Sequence, residues 1–181
     1  MIYVFLADGF EDMEAMVPYD ILKRAKFEVK TVGVTGKSVR SGAGILMETD
    51  VAIEEIQTKD LKAIVLPGGM PGTTNLNNCK KVHDIINFCT QNNILIGAIC
   101  AAPMILGKMG LLKNKRVCAF PGTEEHLEGA VISQDYVCKD GNIITARGPG
   151  AAAEFSFALV EYLLGKMAVN IIKKSMQFPE A

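Results

Sequence analysis

Tryptophan is absent from the 181 residues, and histidine occurs only twice, as His83 and His126. Neither histidine stands at ligand spacing to a cysteine, and no Cys-x-x-Cys pair occurs, so a zinc site is not expected. The five cysteines, Cys79, Cys89, Cys100, Cys118 and Cys138, are odd in number and widely spaced. That argues against a disulfide framework and fits a reducing, cytoplasmic setting. There is no basic excess, since the formal net charge is −1. Neither nucleic acid nor an anionic membrane surface is therefore an expected partner. No apolar run is long enough to span a bilayer. Met1 to Leu6 lack the basic flank and cleavage site of a signal peptide. No linker, repeat or low-complexity segment interrupts the chain, so one domain over residues 1–181 is expected.

What is present is alternation. Residues 2–6, 61–66 and 94–99 are short apolar runs that read as strands buried on both faces. Residues 27–34 read as a further strand and 115–120 as another. Residues 134–138 and 142–146 read as a hairpin. Glycines at 36, 42 and 44 suggest a hairpin-like excursion over 36–47. Helical spacing marks 13–25, with Met13, Val17, Ile21 and Leu22 on one side, and 79–92, with Val82, Ile85, Ile86 and Cys89 inward. Pro18 should kink the first helix or delay its start. Short or moderate helices are also expected over 101–109, 151–164 and 166–175. Strands alternating with helices give an α/β fold, a mostly parallel sheet with helices on both faces.

In open parallel sheets the site lies beyond the carboxyl ends of the strands. Three segments meet that edge: Asp8 to Glu14, Pro67 to Gly72, and Cys100 to Pro103. Cys100 follows a buried strand directly and opens a helix, as a nucleophile at a strand-to-helix elbow does. The flanking positions Ala98 and Ala102 are small but are not glycine. A helix N-terminus favours a thiolate, so a depressed thiol pKa is expected. The other four cysteines read as small core hydrophobes. Gly68 and Gly69 follow a strand and expose backbone N–H groups, and the amides of Gly69 and Ala101 are candidates for an oxyanion hole. Glu14 begins the first helix near the same edge. A carboxylate beside a thiolate raises both pKa values, so a protonated Glu14 that shares its proton with Cys100 is the workable arrangement. His83 reads as a surface residue. His126 lies in a loop that can fold over the site, and a Cys-His pair ranks well below Cys-Glu. Glu124, Glu125 and Glu128 read as solvated charge.

Gly9-Phe10-Glu11-Asp12-Met13-Glu14, Leu66-Pro67-Gly68-Gly69, Ala98-Ile99-Cys100-Ala101-Ala102-Pro103 and Arg147-Gly148-Pro149-Gly150 together resemble the DJ-1/PfpI (ThiJ) superfamily, in particular its DJ-1-like branch. The resemblance runs nearly end to end, in order and spacing. It implies a flavodoxin-like three-layer sandwich and a homodimer. It implies Cys100 as the oxidisable nucleophile, Glu14 as its partner carboxyl, and Gly69 and Ala101 as backbone donors. Gly68, Ala102 and Pro149 would line the site, and Arg24 would lie at the dimer interface near the cysteine. No cofactor and no metal are implied. Family activities include glyoxalase and deglycase chemistry on methylglyoxal-type carbonyls, oxidative-stress sensing through a cysteine sulfinic acid, and peptidase or chaperone roles. The expected partner is thus a small aldehyde or a peroxide. This chain departs from the family at three places. The stretch near Gly129-Ala130 lacks a histidine found in some members. Phe120-Pro121 replaces the His-Pro of animal members. A second arginine is absent around Ser41 to Gly44.

Overall fold

The computed structural model describes residues 1–179. In chain order the elements are β1 (Ile2–Leu6), α1 (Asp12–Arg24), β2 (Val29–Gly33), β3 (Ser38–Arg40), β4 (Leu46–Glu48), β5 (Val51–Ala52), β6 (Ala63–Leu66), α2 (Gly72–Asn78) and α3 (Lys80–Gln91). They continue with β7 (Leu95–Ile99), α4 (Pro103–Lys108), β8 (Arg116–Val117), β9 (Val131–Ile132), β10 (Val137–Asp140), β11 (Ile143–Ala146), α5 (Ala152–Leu164) and α6 (Lys166–Ser175).

Seven strands form one sheet in the order β10-β11-β7-β6-β1-β2-β5. All its pairings are parallel except β10 with β11. Side chains alternate across the pleat. Ile2, Val4 and Leu6 of β1 therefore enter one core with Phe155 and Leu159 of α5 and Ile21 of α1. Tyr3 and Phe5 enter a second core with Val82 and Ile86 of α3 and Leu106 of α4. A strand buried on both faces has no polar position, which is why these strands read as continuous apolar runs. The result is the flavodoxin-like sandwich, helices covering both faces of a mostly parallel sheet. Among the described residues, no helix is long and apolar enough to cross a membrane.

Some local expectations fail. α1 begins at Asp12 and runs through Pro18 without starting late. Pro18 is buried, and the missing N–H leaves the Glu14 carbonyl without its helical donor. The inward face of α1 is Glu14, Ala15, Pro18, Ile21 and Leu22, whereas Met13 is half exposed. The segment 115–120 shrinks to the two residues of β8, which pairs with β9 in a separate ribbon outside the main sheet. β10 begins at Val137, three residues later than the pattern suggests, and α4 begins at Pro103, after a turn at Cys100 to Ala102. α2 and β5 have no counterpart in the sequence reading. α2 is polar (Gly-Thr-Thr-Asn-Leu-Asn-Asn) and buries only Gly72, Thr73 and Leu76, so no helical stripe announces it.

Order changes direction at β1. From β1 the chain moves to β2 on one side, and later returns to β6 on the other. Such a switch leaves a crevice at the carboxyl ends of the central strands. β1 delivers the loop to Glu14 there, β6 delivers Pro67 to Gly69, and β7 delivers Cys100.

Gly107 of α4 lies against the loop that carries His126. A methyl group added at Gly107 would stand 2.0 Å from the His126 carbonyl oxygen. Helix propensity favours alanine by about 1 kcal/mol, but a backbone oxygen cannot rotate aside. We expect Gly107→Ala to lower the urea midpoint, with a loss of about 1–3 kcal/mol from overpacking, read by equilibrium unfolding.

Candidate active site

Cys100 sits at the end of β7 with φ +64°, in the left-handed region that a non-glycine residue seldom adopts. Two backbone bonds hold it there. Its N–H donates to the Ala146 carbonyl of β11 at 2.8 Å, and its carbonyl accepts the Phe120 N–H at 2.8 Å. The chain then turns through Ala101 and Ala102 into α4. A conformation of this kind costs about 1–3 kcal/mol and persists only where its surroundings over-determine it. The turn points the thiol over the sheet edge, toward the loops that follow β1 and β6.

Glu14 is held from both ends. Its N–H donates to the Glu11 carboxylate at 2.8 Å, so Glu11 is the N-cap of α1 and not free solvated charge. Its own carboxyl is fully buried, and Oε2 accepts the Gly68 N–H at 2.8 Å. The Gly68 carbonyl in turn accepts the Glu11 N–H at 3.1 Å. One peptide at the end of β6 is thus clamped between the cap and the first turn of α1. Gly68 has no room for a side chain. A methyl group there would lie 2.7 Å from Glu14 Oε2, 2.7 Å from Cys100 Cβ and 3.0 Å from the Ala101 nitrogen. Gly69 needs its freedom for a second reason, since its φ is +84° and an added methyl group would stand 2.5 Å from the Gly9 carbonyl oxygen and 2.6 Å from the Glu11 nitrogen.

The second carboxyl oxygen, Glu14 Oε1, is buried with no hydrogen-bond partner. The group beside the carboxyl is the Cys100 thiol, and the Gly69 and Ala101 N–H groups also reach the sulfur. Burial raises the Glu14 pKa from its usual 4.5 to about 7, against the lowering contacts from Cys100 and Gly68. Burial and then the Glu14 charge push the Cys100 thiol up to about 12, against the lowering contacts from the Gly69 and Ala101 N–H groups. The expected depressed thiol pKa is therefore reversed. α4 has only six residues and its N-terminal amides do not outweigh desolvation. Below about pH 7 both groups therefore keep their protons, and above it Glu14 ionises first beside a thiol that stays protonated.

The remaining candidates divide. Gly68 and Ala102 are buried next to the Cys100 turn, and Pro149 lines an open basin with Phe120, whose N–H bonds the Cys100 carbonyl. Arg24 is not in the chain's own site. It pairs with Asp20 at 2.7 Å on the exposed side of α1, ten residues from Glu14 and so roughly 15 Å along the helix. His126 lies against Glu125 at 3.4 Å and forms no pair with Cys100. His83 is half-buried, with Nε2 enclosed, and is not a surface residue. Cys89, Cys118 and Cys138 are buried as expected, while Cys79 is partly exposed. The Ala146 carbonyl and the Phe120 N–H escaped the sequence reading altogether. Both meet Cys100 across long chain separations, and no local pattern signals them.

The sign of the Glu14 shift fixes a pH dependence. The unfolded carboxyl loses its proton near pH 4.5 and the folded one near pH 7. Across that window the native state binds more protons, so stability falls as pH rises, by about 3 kcal/mol at most. Glu14→Gln keeps the acceptor for Gly68 and cannot ionise. We expect the thermal midpoint of Glu14→Gln to exceed that of the wild type at pH 8 and to converge on it at pH 4.5, read by calorimetry at both pH values.

Comparison with known proteins places this geometry. The chain is 33% identical over 176 residues to protein dj-1beta of Drosophila melanogaster, covering 96% of this chain and 94% of the relative. The crystal structure of Drosophila melanogaster DJ-1beta superposes with a TM-score of 0.92 at 32% identity, over 99% of this chain and 98% of that one. Toxoplasma gondii DJ-1, in an oxidized form, gives a TM-score of 0.94 at 28% identity over 99% and 98%. A Caenorhabditis elegans relative named glutathione-independent glyoxalase DJR-1.2 is 30% identical over 167 residues, covering 92% of this chain and 89% of the relative. The DJ-1/PfpI family's sequence model matches residues 1–162, which include every group of the site above, and the chain belongs to that family.

Proposed function

We propose that this protein is a cysteine-dependent enzyme acting on reactive carbonyls, in the manner of a glyoxalase, as one DJ-1/PfpI-like domain over residues 1–181. The observation that supports the reading is the Cys100 side chain, held at a left-handed strand-to-helix turn, packed with the fully buried Glu14 carboxyl around Gly68. The relative named a glutathione-independent glyoxalase supports the same chemistry.

Each step balances with these groups alone. Glu14, as the carboxylate, takes the Cys100 thiol proton as the sulfur bonds to the aldehyde carbon of a 2-oxoaldehyde. The carbonyl electrons move to oxygen, and the Gly69 and Ala101 N–H groups favour that oxyanion. Glu14 gives the oxygen its proton and becomes the carboxylate. That carboxylate removes the hydrogen of the former aldehyde carbon, and its electron pair moves toward the adjacent carbonyl to form an enediol. Glu14 returns the proton to the second carbon while the hydroxyl proton on the first passes to the second oxygen, and the first carbon becomes a thioester. Water cleaves the thioester, releasing a 2-hydroxy acid and the thiol. A carboxyl poised near pH 7 can serve as acid and base in one cycle, which suits this sequence of transfers.

A second reading has its own support, the solved oxidized form of the Toxoplasma gondii relative. Cys100 would take one oxygen from each of two peroxide molecules, each peroxide leaving as water. The resulting sulfinate would accept bonds from protonated Glu14 and the two N–H groups. We propose a reducing, cytoplasmic setting, which the absence of disulfides among the five cysteines supports.

We also propose a homodimer. Phe10, Met13, Met16, Val17, Ile45 and Met47 line an apolar groove of about 280 Å³ on the surface. Met13, Ile45 and Leu46 are each half or more exposed there. A second copy of the chain is the occupant the family suggests, and Arg24 on the same helix would then face the partner.

Three outcomes test these readings. Purified protein is expected to convert methylglyoxal to lactate, with Cys100→Ser reducing kcat/KM at least about 10³-fold and Glu14→Gln also strongly impaired. Equal rates for wild type and Cys100→Ser would overturn the carbonyl reading. Mild peroxide is expected to add two oxygens at Cys100 by peptide mass spectrometry, and even oxidation of all five cysteines would remove the sensor reading. In sedimentation velocity the wild type should run as a dimer and Met13→Glu should shift toward monomer. A monomeric wild type would sink the dimer.

A further inference from the structure

Two aromatic rings stand in the open beside the reactive cysteine, and the proton transfers above use neither. Phe120 is 48% exposed and Tyr136 is 65% exposed. A lone exposed apolar residue is unremarkable, but these two line one basin of about 300 Å³ together with Pro121, Arg147, Gly148 and Pro149.

The basin shares its backbone with the site. Phe120 donates its N–H to the Cys100 carbonyl, and Cys100 donates to Ala146, the residue before Arg147. Arg147 donates its own N–H to the Tyr136 carbonyl at 3.1 Å. The Phe120 ring lies over Gly148, where an added methyl group would stand 3.4 Å from Cδ2. Contact with that glycine sets the ring as a wall of the basin. No carboxylate lines the basin, and the Arg147 guanidinium donates to the Gln134 carbonyl at 3.2 Å. One face therefore offers two π surfaces and one cation.

The size and character of this surface suit a flat ring. An apolar cavity of about 150 Å³ is enough to hold benzene, and the basin has about twice that volume. Aromatic rings pair favourably in offset or edge arrangements, and a guanidinium is attracted to an aryl face. A methyl group would leave most of the basin in contact with water. The Cys100 side chain does not itself line the basin, but the backbone bonds to Phe120 and Ala146 set the basin next to the turn that carries it, and the substituent on the carbon adjacent to the aldehyde is the part that would extend there.

We propose that Phe120, with Tyr136 and Arg147, is a specificity-determining residue. The protein takes 2-oxoaldehydes that carry an aryl or similarly broad apolar group in preference to methylglyoxal. This rests on the carbonyl reading above and names the substrate class for it.

Initial rates on phenylglyoxal and methylglyoxal test the preference, using the full-length wild type, Phe120→Ala and Tyr136→Ala. Wild-type kcat/KM should favour phenylglyoxal by roughly tenfold or more, and Phe120→Ala should lower that ratio by roughly tenfold, chiefly through KM. Phe120→Tyr should restore it. Equal wild-type values, or a ratio that neither alanine variant moves, would overturn the proposal. A second measurement needs no turnover: protection of Cys100 from iodoacetamide by benzoylformate against pyruvate, two 2-oxo acids without the aldehyde. If neither aldehyde is converted, the carbonyl reading fails and this measurement decides the basin. Stronger protection by benzoylformate in wild type, lost in Phe120→Ala, supports aryl recognition. Equal protection by the two acids overturns it.

Discussion

The bond from the Gly68 N–H to the Glu14 carboxyl ties together three loops that are far apart in the chain. It joins the first turn of α1 to the end of β6, and the same carboxyl lies beside the thiol at the end of β7. Around it the demands are strict. Gly68 must lack a side chain, and the Gly68 carbonyl must accept from Glu11. Cys100 must hold a left-handed backbone conformation between Ala146 and Phe120. Remove the carboxyl and the Gly68 N–H loses its acceptor in a buried place, which costs more than the bond itself is worth in water.

Burial decides the electrostatics. Backbone N–H groups alone would draw a thiol toward thiolate, and a polar setting would leave a glutamate ionised. Here desolvation opposes the charged form of both groups and exceeds the local hydrogen bonds. Two acids that each resist ionisation both keep their protons below about pH 7, and Glu14 is the first to give its proton up. The site is thereby able to move a proton at neutral pH without a histidine, a residue this chain hardly uses.

The fold explains why the three loops converge. A parallel strand buried on both faces ends at one edge of the sheet, and the reversal of strand order at β1 leaves that edge open. The crossing helices are the means of burial as well as of connection. α1 and α5 seal one face while α3 and α4 seal the other. The site therefore inherits its dryness from the core and its access from the loops. The basin formed by Phe120, Tyr136 and Arg147 is the open side of that arrangement.

Several features were readable from residues alone. The apolar runs at 2–6, 61–66 and 94–99 carry their strand identity because doubly buried strands admit no polar positions. Cys100 stands out because it directly follows a strand that ends at the active edge, and Glu14 because it stands in the first turn of the helix that comes after another such strand. Other features depend on contacts that no local pattern encodes. The outward turn of Met13 follows from how α1 packs on the sheet, since its apolar spacing fits two faces. β8 is short and separate because its neighbour is β9 and not the main sheet. The sequence by itself determined most strands of the sheet, its polarity and the candidate pair Cys100 and Glu14, because periodicity and order along the chain are local properties. Only the tertiary structure decided the direction of the cysteine's pKa shift, the place of Arg24 away from the thiol and the aromatic basin beside it. Each of these is set by desolvation or by groups that meet across long separations in the chain.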